Sequence, residues 1–137
     1  MMKKLIQTVL VGSVLATSVA FADETPLAEK MDEVSGSLKG LRRAGDNYGK
    51  ALELVRAAQK AILECFAFSP EMIEKMPEGK EKATALANYK KTLAASYQTF
   101  CDLELAYLSE DQDKIDDAKD LVKKSRKTGH QEFIEED

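Results

Sequence analysis

Two residues near opposite ends of the chain, Met31 and His130, carry the side chains with the most specific chemistry. His130 is the single histidine among 137 residues, so metal sites that need several histidines are excluded. A thioether sulfur and an imidazole nitrogen that face each other across a gap are a known axial pair for haem iron. The alternative is that Met31 fills a gap in the core and that His130 is a solvated surface residue.

Other chemistry finds little support in the sequence. No Glu-x-x-His repeat is present, which argues against a di-iron bundle. Nothing indicates a nucleophile positioned by a histidine, so we expect no enzymatic activity. The chain also lacks a C-x-x-C-H motif, and any haem is therefore expected to be a non-covalent b-type haem.

Four apolar stripes at helical spacing predict the elements that would position Met31 and His130. Helices are predicted over 26–44, 48–66 and 79–108, and a fourth follows 109–111. We call the stripe of each helix that is expected to face the core its seam. The seam of the first helix is Leu27, Met31, Val34, Leu38 and Leu41, and that of the second is Leu52, Val55, Gln59, Ile62 and Phe66. The seam of the third is Leu86, Tyr89, Leu93, Tyr97, Phe100 and Leu103, and that of the fourth is Ile115, Ala118, Val122, Arg126, Gly129 and Phe133. A proline-interrupted loop over 67–78, with several apolar residues, is expected to lie across one end.

Short links between the first two and the last two helices predict an all-α protein with an antiparallel up-down-up-down four-helix bundle. In that topology the first and fourth helices run antiparallel, so Met31 and His130 meet at the same end. His130 follows Val122 by eight residues, about two turns, and points roughly the same way. The two candidate ligands are thus expected to share one end of the core.

The two cysteines test this helix order. Cys65 would lie at the end of helix 2, close to the Met31 end, whereas Cys101 would lie about 30 Å further along helix 3. A disulfide needs Cα atoms within about 7 Å of each other. We therefore predict two unpaired thiols, although an even count of cysteines in an exported protein ordinarily suggests a disulfide.

The first 22 residues have the pattern of a cleaved secretory signal peptide. Lys3 and Lys4 precede an apolar stretch, and Ala20-Phe21-Ala22 is an A-x-A cleavage pattern; the alternative is a retained N-terminal anchor. Cleavage leaves 115 residues, 23–137, as one domain, and removing both lysines changes the net charge from −4 to −6. We expect a periplasmic protein that binds neither nucleic acid nor an anionic lipid surface and does not insert into a membrane.

The chain resembles the cytochrome b562 family over its whole length. The segment Leu27-Ala28-Glu29-Lys30-Met31 resembles the family's opening helix, and Ser125-Arg126-Lys127-Thr128-Gly129-His130-Gln131 resembles its last helix. The resemblance implies one haem per chain with Met31 and His130 as the iron ligands, Arg126 near a propionate, and Tyr89 and Leu93 against the haem face. Departures from the family are the two cysteines, the acidic tail and Gly129.

The function that the resemblance implies is electron transfer in the periplasm by a monomer, with a redox partner that the sequence does not identify. The alternative is a haem-free helical bundle that acts as an adaptor or chaperone-like binding protein. Absorption spectroscopy separates the two hypotheses, because a purified red protein with a sharp Soret band is a haem protein.

Overall fold

The computed structural model describes residues 25–133, which form an all-α protein. The expected signal peptide over 1–22 and the acidic tail over 135–137 lie outside the described residues. The described part of the chain contains five helices and no strand. The helices are α1 (Pro26–Ala44), α2 (Tyr48–Cys65), α3 (Glu71–Glu74), α4 (Lys80–Ser109) and α5 (Gln112–Phe133).

Side-chain caps begin three of the four long helices. The Thr25 hydroxyl accepts a hydrogen bond from the backbone N–H of Ala28 at 3.0 Å, with Pro26 in the first turn of α1. The Asn47 side chain accepts from the N–H of Lys50 at 3.1 Å, and the Asp111 carboxylate accepts from the N–H of Asp113 at 3.0 Å. These caps satisfy backbone donors that have no partner inside the helix, which fixes where each helix starts.

The connection between α2 and α4 contains an element that the sequence pattern did not predict. A single helical turn, α3, follows Pro70, and its Ile73 is buried in the core. Helix α3 packs against α4. Buried Ile73 and partly buried Met76 therefore anchor this connection to the core, whereas Met72 is 41% exposed.

One hydrophobic core joins the long helices. Close backbone packing links α1 to α2, α2 to α4, and α4 to α5. The predicted seams supply most of this core. The seam prediction is wrong at Phe66, which lies just beyond the end of α2 and is 37% exposed, whereas the preceding residue, Cys65, is fully buried. The fully buried residues of largest volume are Tyr107, Phe100, Leu103, Ile115, Val55, Val122 and Cys65.

Within residues 25–133, no helix has both the length and the apolar character needed to cross a membrane.

Candidate functional site

Three contacts link the four long helices. The Lys30 ammonium lies 2.9 Å from a carboxylate oxygen of Glu64, which joins the start of α1 to the end of α2. The Tyr89 hydroxyl donates to the carbonyl oxygen of Cys65 at 3.5 Å, which joins α4 to α2. The Tyr89 ring also meets the ring of Phe133 edge to face, with centroids 5.4 Å apart. These contacts link Lys30 of α1 to the last turn of α2, and the last turn of α2 through Tyr89 of α4 to Phe133 at the end of α5.

Both candidate iron ligands lie close in sequence to residues that make these contacts. Met31 follows Lys30 in α1, is half-buried, and packs against the core. His130 lies three residues before Phe133 in α5 and is also half-buried. Neither side chain is sealed inside the core, so each keeps an accessible surface that a ligand can contact.

Helices α1 and α5, which carry these two candidate ligands, are not closely packed along their backbones. Among the described residues, close backbone packing joins α1 to α2, α2 to α4, α3 to α4 and α4 to α5, but not α1 to α5. A side-chain hydrogen bond does link them, because Arg126 Nη2 donates to Ser35 Oγ at 2.7 Å. This hydrogen bond lies four residues after Met31 on α1 and four residues before His130 on α5, and it links two helices that are not tightly packed.

Arg126 has an unusual environment for a guanidinium. It is half-buried, and this desolvation lowers the pKa of its side chain from the ordinary value. Within residues 25–133 no carboxylate lies within salt-bridge distance of it. Arginine stays protonated in proteins, so a partly desolvated positive charge with a neutral partner faces the region between α1 and α5.

Tyr89 and Leu93 form part of the core wall. Their side chains are 3% and 5% exposed, and burial raises the pKa of the Tyr89 phenol above its ordinary value. The phenol therefore stays neutral near neutral pH. Phe133 covers one edge of the Tyr89 ring, which fastens the last turn of α5, including His130, to the core.

The two cysteines are both free, as the helix order predicted. Cys65 is fully buried, and burial raises the pKa of its thiol from 9.0 to about 11. The thiolate, which is the form that binds metals and attacks electrophiles, is therefore scarce at neutral pH. Cys101 is half-buried on α4.

Alternative sites are few in the described part of the chain. No group of three or more His, Cys, Asp or Glu side chains within residues 25–133 has a geometry that suits a metal ion. An open groove of about 720 Å³ runs between α4 and α5, with Asn88, Thr92, Ser125 and Thr128 among its lining residues. Met31 and His130 do not line this groove, so it is separate from the candidate ligands.

Sequence patterns missed the polar links that hold this arrangement. The hydrogen bond from Arg126 to Ser35 spans 91 positions, and no local pattern marks a serine on the outer part of a helix as its partner. Gln59 was placed in the seam of α2, and it is indeed 9% exposed. Its partners on α4, the Phe100 carbonyl and the Glu104 carboxylate, were not evident from spacing alone.

Comparison of the chain with protein-family models, with curated proteins and with solved structures finds no match.

Proposed function

We propose that this protein binds one non-covalent b-type haem between α1 and α5, with Met31 and His130 as axial ligands, and transfers electrons in the periplasm. The proposal includes an antiparallel up-down-up-down arrangement of the four long helices α1, α2, α4 and α5. It rests on the resemblance to the cytochrome b562 family and on one structural observation. That observation is the hydrogen bond of 2.7 Å from Arg126 of α5 to Ser35 of α1. Each of these two residues lies four positions from a candidate ligand, and Met31 and His130 are both half-buried.

The residues present suit haem in three respects. A thioether and an imidazole are an established axial pair. The backbones of α1 and α5 are not closely packed in the described residues, which is what a flat ligand between them requires. Arg126 supplies a partly desolvated positive charge without a carboxylate partner among residues 25–133, and such a guanidinium suits a haem propionate.

In this proposal the protein contributes to electron transfer by positioning the haem and by excluding water from it. Bound haem supplies an iron that gains and loses one electron. Met31 and His130 would fill both axial positions, so the iron would have no open position for a substrate, which is why we propose a carrier rather than an enzyme. Tyr89 and Leu93, both buried, would keep water from the haem face, and the low polarity of that wall would contribute to the reduction potential.

The axial pair is tested by absorption spectroscopy of the protein purified from cells supplied with haem. Met31→Ala and His130→Ala should each abolish the low-spin six-coordinate spectrum, because each removes one ligand while the other remains. We expect His130→Ala to weaken haem binding more than Met31→Ala. Met72→Ala is the matched control, because Met72 lies on α3 and is 41% exposed, and it should keep the parent spectrum.

Two results would reject the proposal. If both ligand variants keep the parent spectrum, Met31 and His130 are not the axial ligands. If haem added to the parent protein keeps the broad Soret band of free haem, the haem-free adaptor or chaperone-like hypothesis replaces electron transfer. Both measurements are read directly from one titration of haem into each purified variant.

A further inference from the structure

Helix α4 has a second apolar side that no other part of the described chain covers. Its core side carries Tyr89, Leu93 and Phe100. A different side carries an uncharged row at spacings of seven, seven, four and three residues, which places its members on one face of a helix. This row, here named the outer strip, consists of Ala87, Ala94, Cys101, Leu105 and Leu108.

Exposure identifies the outer strip as a surface rather than as core. Leu105 is 65% exposed and Leu108 is 54% exposed, whereas Cys101 is half-buried. Ala87 and Ala94 are exposed as well. A helix with apolar residues on two sides normally buries both, and large apolar side chains clustered on a surface mark an interaction site.

Charge changes sign along this helix. Near the first half of the outer strip lie Lys90 and Lys91, and both are exposed. Beyond its other end lie Glu110 and Asp111, and residues 95–111 contain no lysine or arginine. One end of the strip is therefore flanked by positive charge and the other by negative charge.

In contrast to the monomer expected from the sequence, we infer that the outer strip binds the outer strip of a second copy of this chain, with the two α4 helices antiparallel about a two-fold axis near Cys101. In this register Leu108 lies opposite Ala94 of the second copy, so that a large side chain meets a small one. The end of the strip that is flanked by Lys90 and Lys91 lies beside the end of the second copy's strip that precedes Glu110 and Asp111. The charge pattern thus complements itself when the helix is reversed, as an isologous interface requires.

The size of the strip sets the strength of the dimer. From Lys90 to Leu108 the helix extends about 27 Å at 1.5 Å per residue, and a contact along one helix face falls at the small end of specific interfaces. Dimerisation should therefore depend on protein concentration. Because the outer strip lies on a different side of α4 from Tyr89 and Leu93, dimerisation does not require haem.

Sedimentation velocity over a wide range of concentrations tests the dimer with the full chain as purified. The average mass of the parent should rise from one chain toward two as concentration increases. Leu105→Glu should weaken association at least tenfold, because it places a carboxylate in the strip. Leu121→Glu is the matched control, since Leu121 lies on α5 and is 48% exposed, and it should behave as the parent does.

Oxidation with diamide tests the register. If two Cys101 thiols meet at the axis, an S–S bond forms between them while diamide takes up their two electrons and two protons. Cys65→Ala should keep this cross-linked dimer, and Cys101→Ser should abolish it. Lys91→Glu should weaken association, and adding Glu110→Lys to it should restore association.

The inference fails if the parent remains a single chain at every concentration, whatever other protein it binds. It also fails if Leu105→Glu associates and cross-links as the parent does while circular dichroism shows the same helix content. A parent that dimerises but cross-links through Cys65 instead of Cys101 would overturn the proposed register. None of these results bears on haem binding, which the absorption spectrum measures separately.

Discussion

Arg126 is the residue whose surroundings most clearly connect structure to the proposed ligand. Its guanidinium is half-buried and donates to the Ser35 hydroxyl at 2.7 Å. A hydroxyl offers a hydrogen bond but no compensating charge. Burial of an unpaired charge is unfavourable, and an anionic group bound between α1 and α5 would relieve it.

We predict that Arg126→Ala lowers haem affinity about tenfold or more. A hydrogen bond to a charged group contributes roughly 1.5–3 kcal/mol, and 1.4 kcal/mol corresponds to a factor of about ten in affinity. Haem titration followed by absorption measures the change. Arg56→Ala is the control, because Arg56 pairs with Glu104 on the surface between α2 and α4. Equal haem affinities for the parent and Arg126→Ala would show that Arg126 does not contribute to haem binding.

Cys65 makes a second prediction at the residue scale. Burial raises the pKa of its thiol from 9.0 to about 11, so the folded protein holds this proton when the unfolded chain has begun to lose it. The corresponding stability is fully present below pH 9 and declines as pH rises from 9 to 11. We therefore expect the free energy of unfolding to fall less between pH 8 and pH 10.5 in Cys65→Ala than in the parent.

Urea unfolding at the two pH values measures this difference. Tyrosines other than Tyr89 contribute equally to both proteins and cancel in the comparison. The pKa of Tyr89 is raised by burial and by the Cys65 thiolate, so both proteins carry Tyr89→Phe in this measurement. Any cavity left by the substitution lowers stability at both pH values and does not change the slope. An identical pH dependence in parent and Cys65→Ala would show that the thiol titrates normally in the folded state.

At the scale of elements, a small polar network fastens α2 to α4. Gln59 Nε2 donates to the Phe100 carbonyl at 3.3 Å and to Glu104 Oε1 at 2.8 Å. Arg56 Nε donates to the other oxygen of Glu104 at 2.8 Å. Two hydrogen bonds hold the pKa of Glu104 below its ordinary value, and the one from Gln59 has a larger effect than the one from Arg56.

We predict that Glu104→Ala destabilises the fold by about 1–3 kcal/mol, because it leaves a buried amide donor of Gln59 without its carboxylate partner. The exposed ion pair with Arg56 contributes little to this cost. The midpoint of urea unfolding at pH 7 measures it. Asp102→Ala is the control on the same helix, since Asp102 is exposed, and it should change stability by less than about 0.5 kcal/mol. Equal losses in both variants would show that the network does not stabilise the helix pair.

The helices themselves were largely evident from the sequence, because apolar spacing and caps are local signals. The predicted range 26–44 matches α1, and the predicted starts of α2 and α4 fall within one residue of those observed. Helix α3 was missed because a single turn is too short for any periodicity to be visible. The polar partners of Gln59 and Arg126 were missed because they lie on other helices, where only the tertiary arrangement decides which side chains meet.

At the scale of the whole molecule, the candidate site depends on residues from both ends of the sequence. Met31 and His130 are 99 positions apart, and the hydrogen bond from Arg126 to Ser35 links the two helices that carry them. That the two side chains share one end of the core stays a prediction from the helix order. The lack of close packing between α1 and α5 is not evident from the sequence, because it depends on the tertiary arrangement of the two helices.

A ligand bound between α1 and α5 would connect two helices whose backbones are not closely packed in the described residues, so haem should stabilise the whole fold. Binding to the native state alone adds RT ln(1 + [L]/Kd), about 4 kcal/mol at a thousandfold excess over Kd. The haem-free protein should therefore melt well below the haem-bound protein in calorimetry. The measurement is best made on Leu105→Glu, because this variant removes any contribution from dimerisation. Equal melting temperatures with and without haem would favour the adaptor hypothesis. If haem raises the melting temperature of Met72→Ala but not that of His130→Ala, the stabilisation depends on the proposed axial ligand.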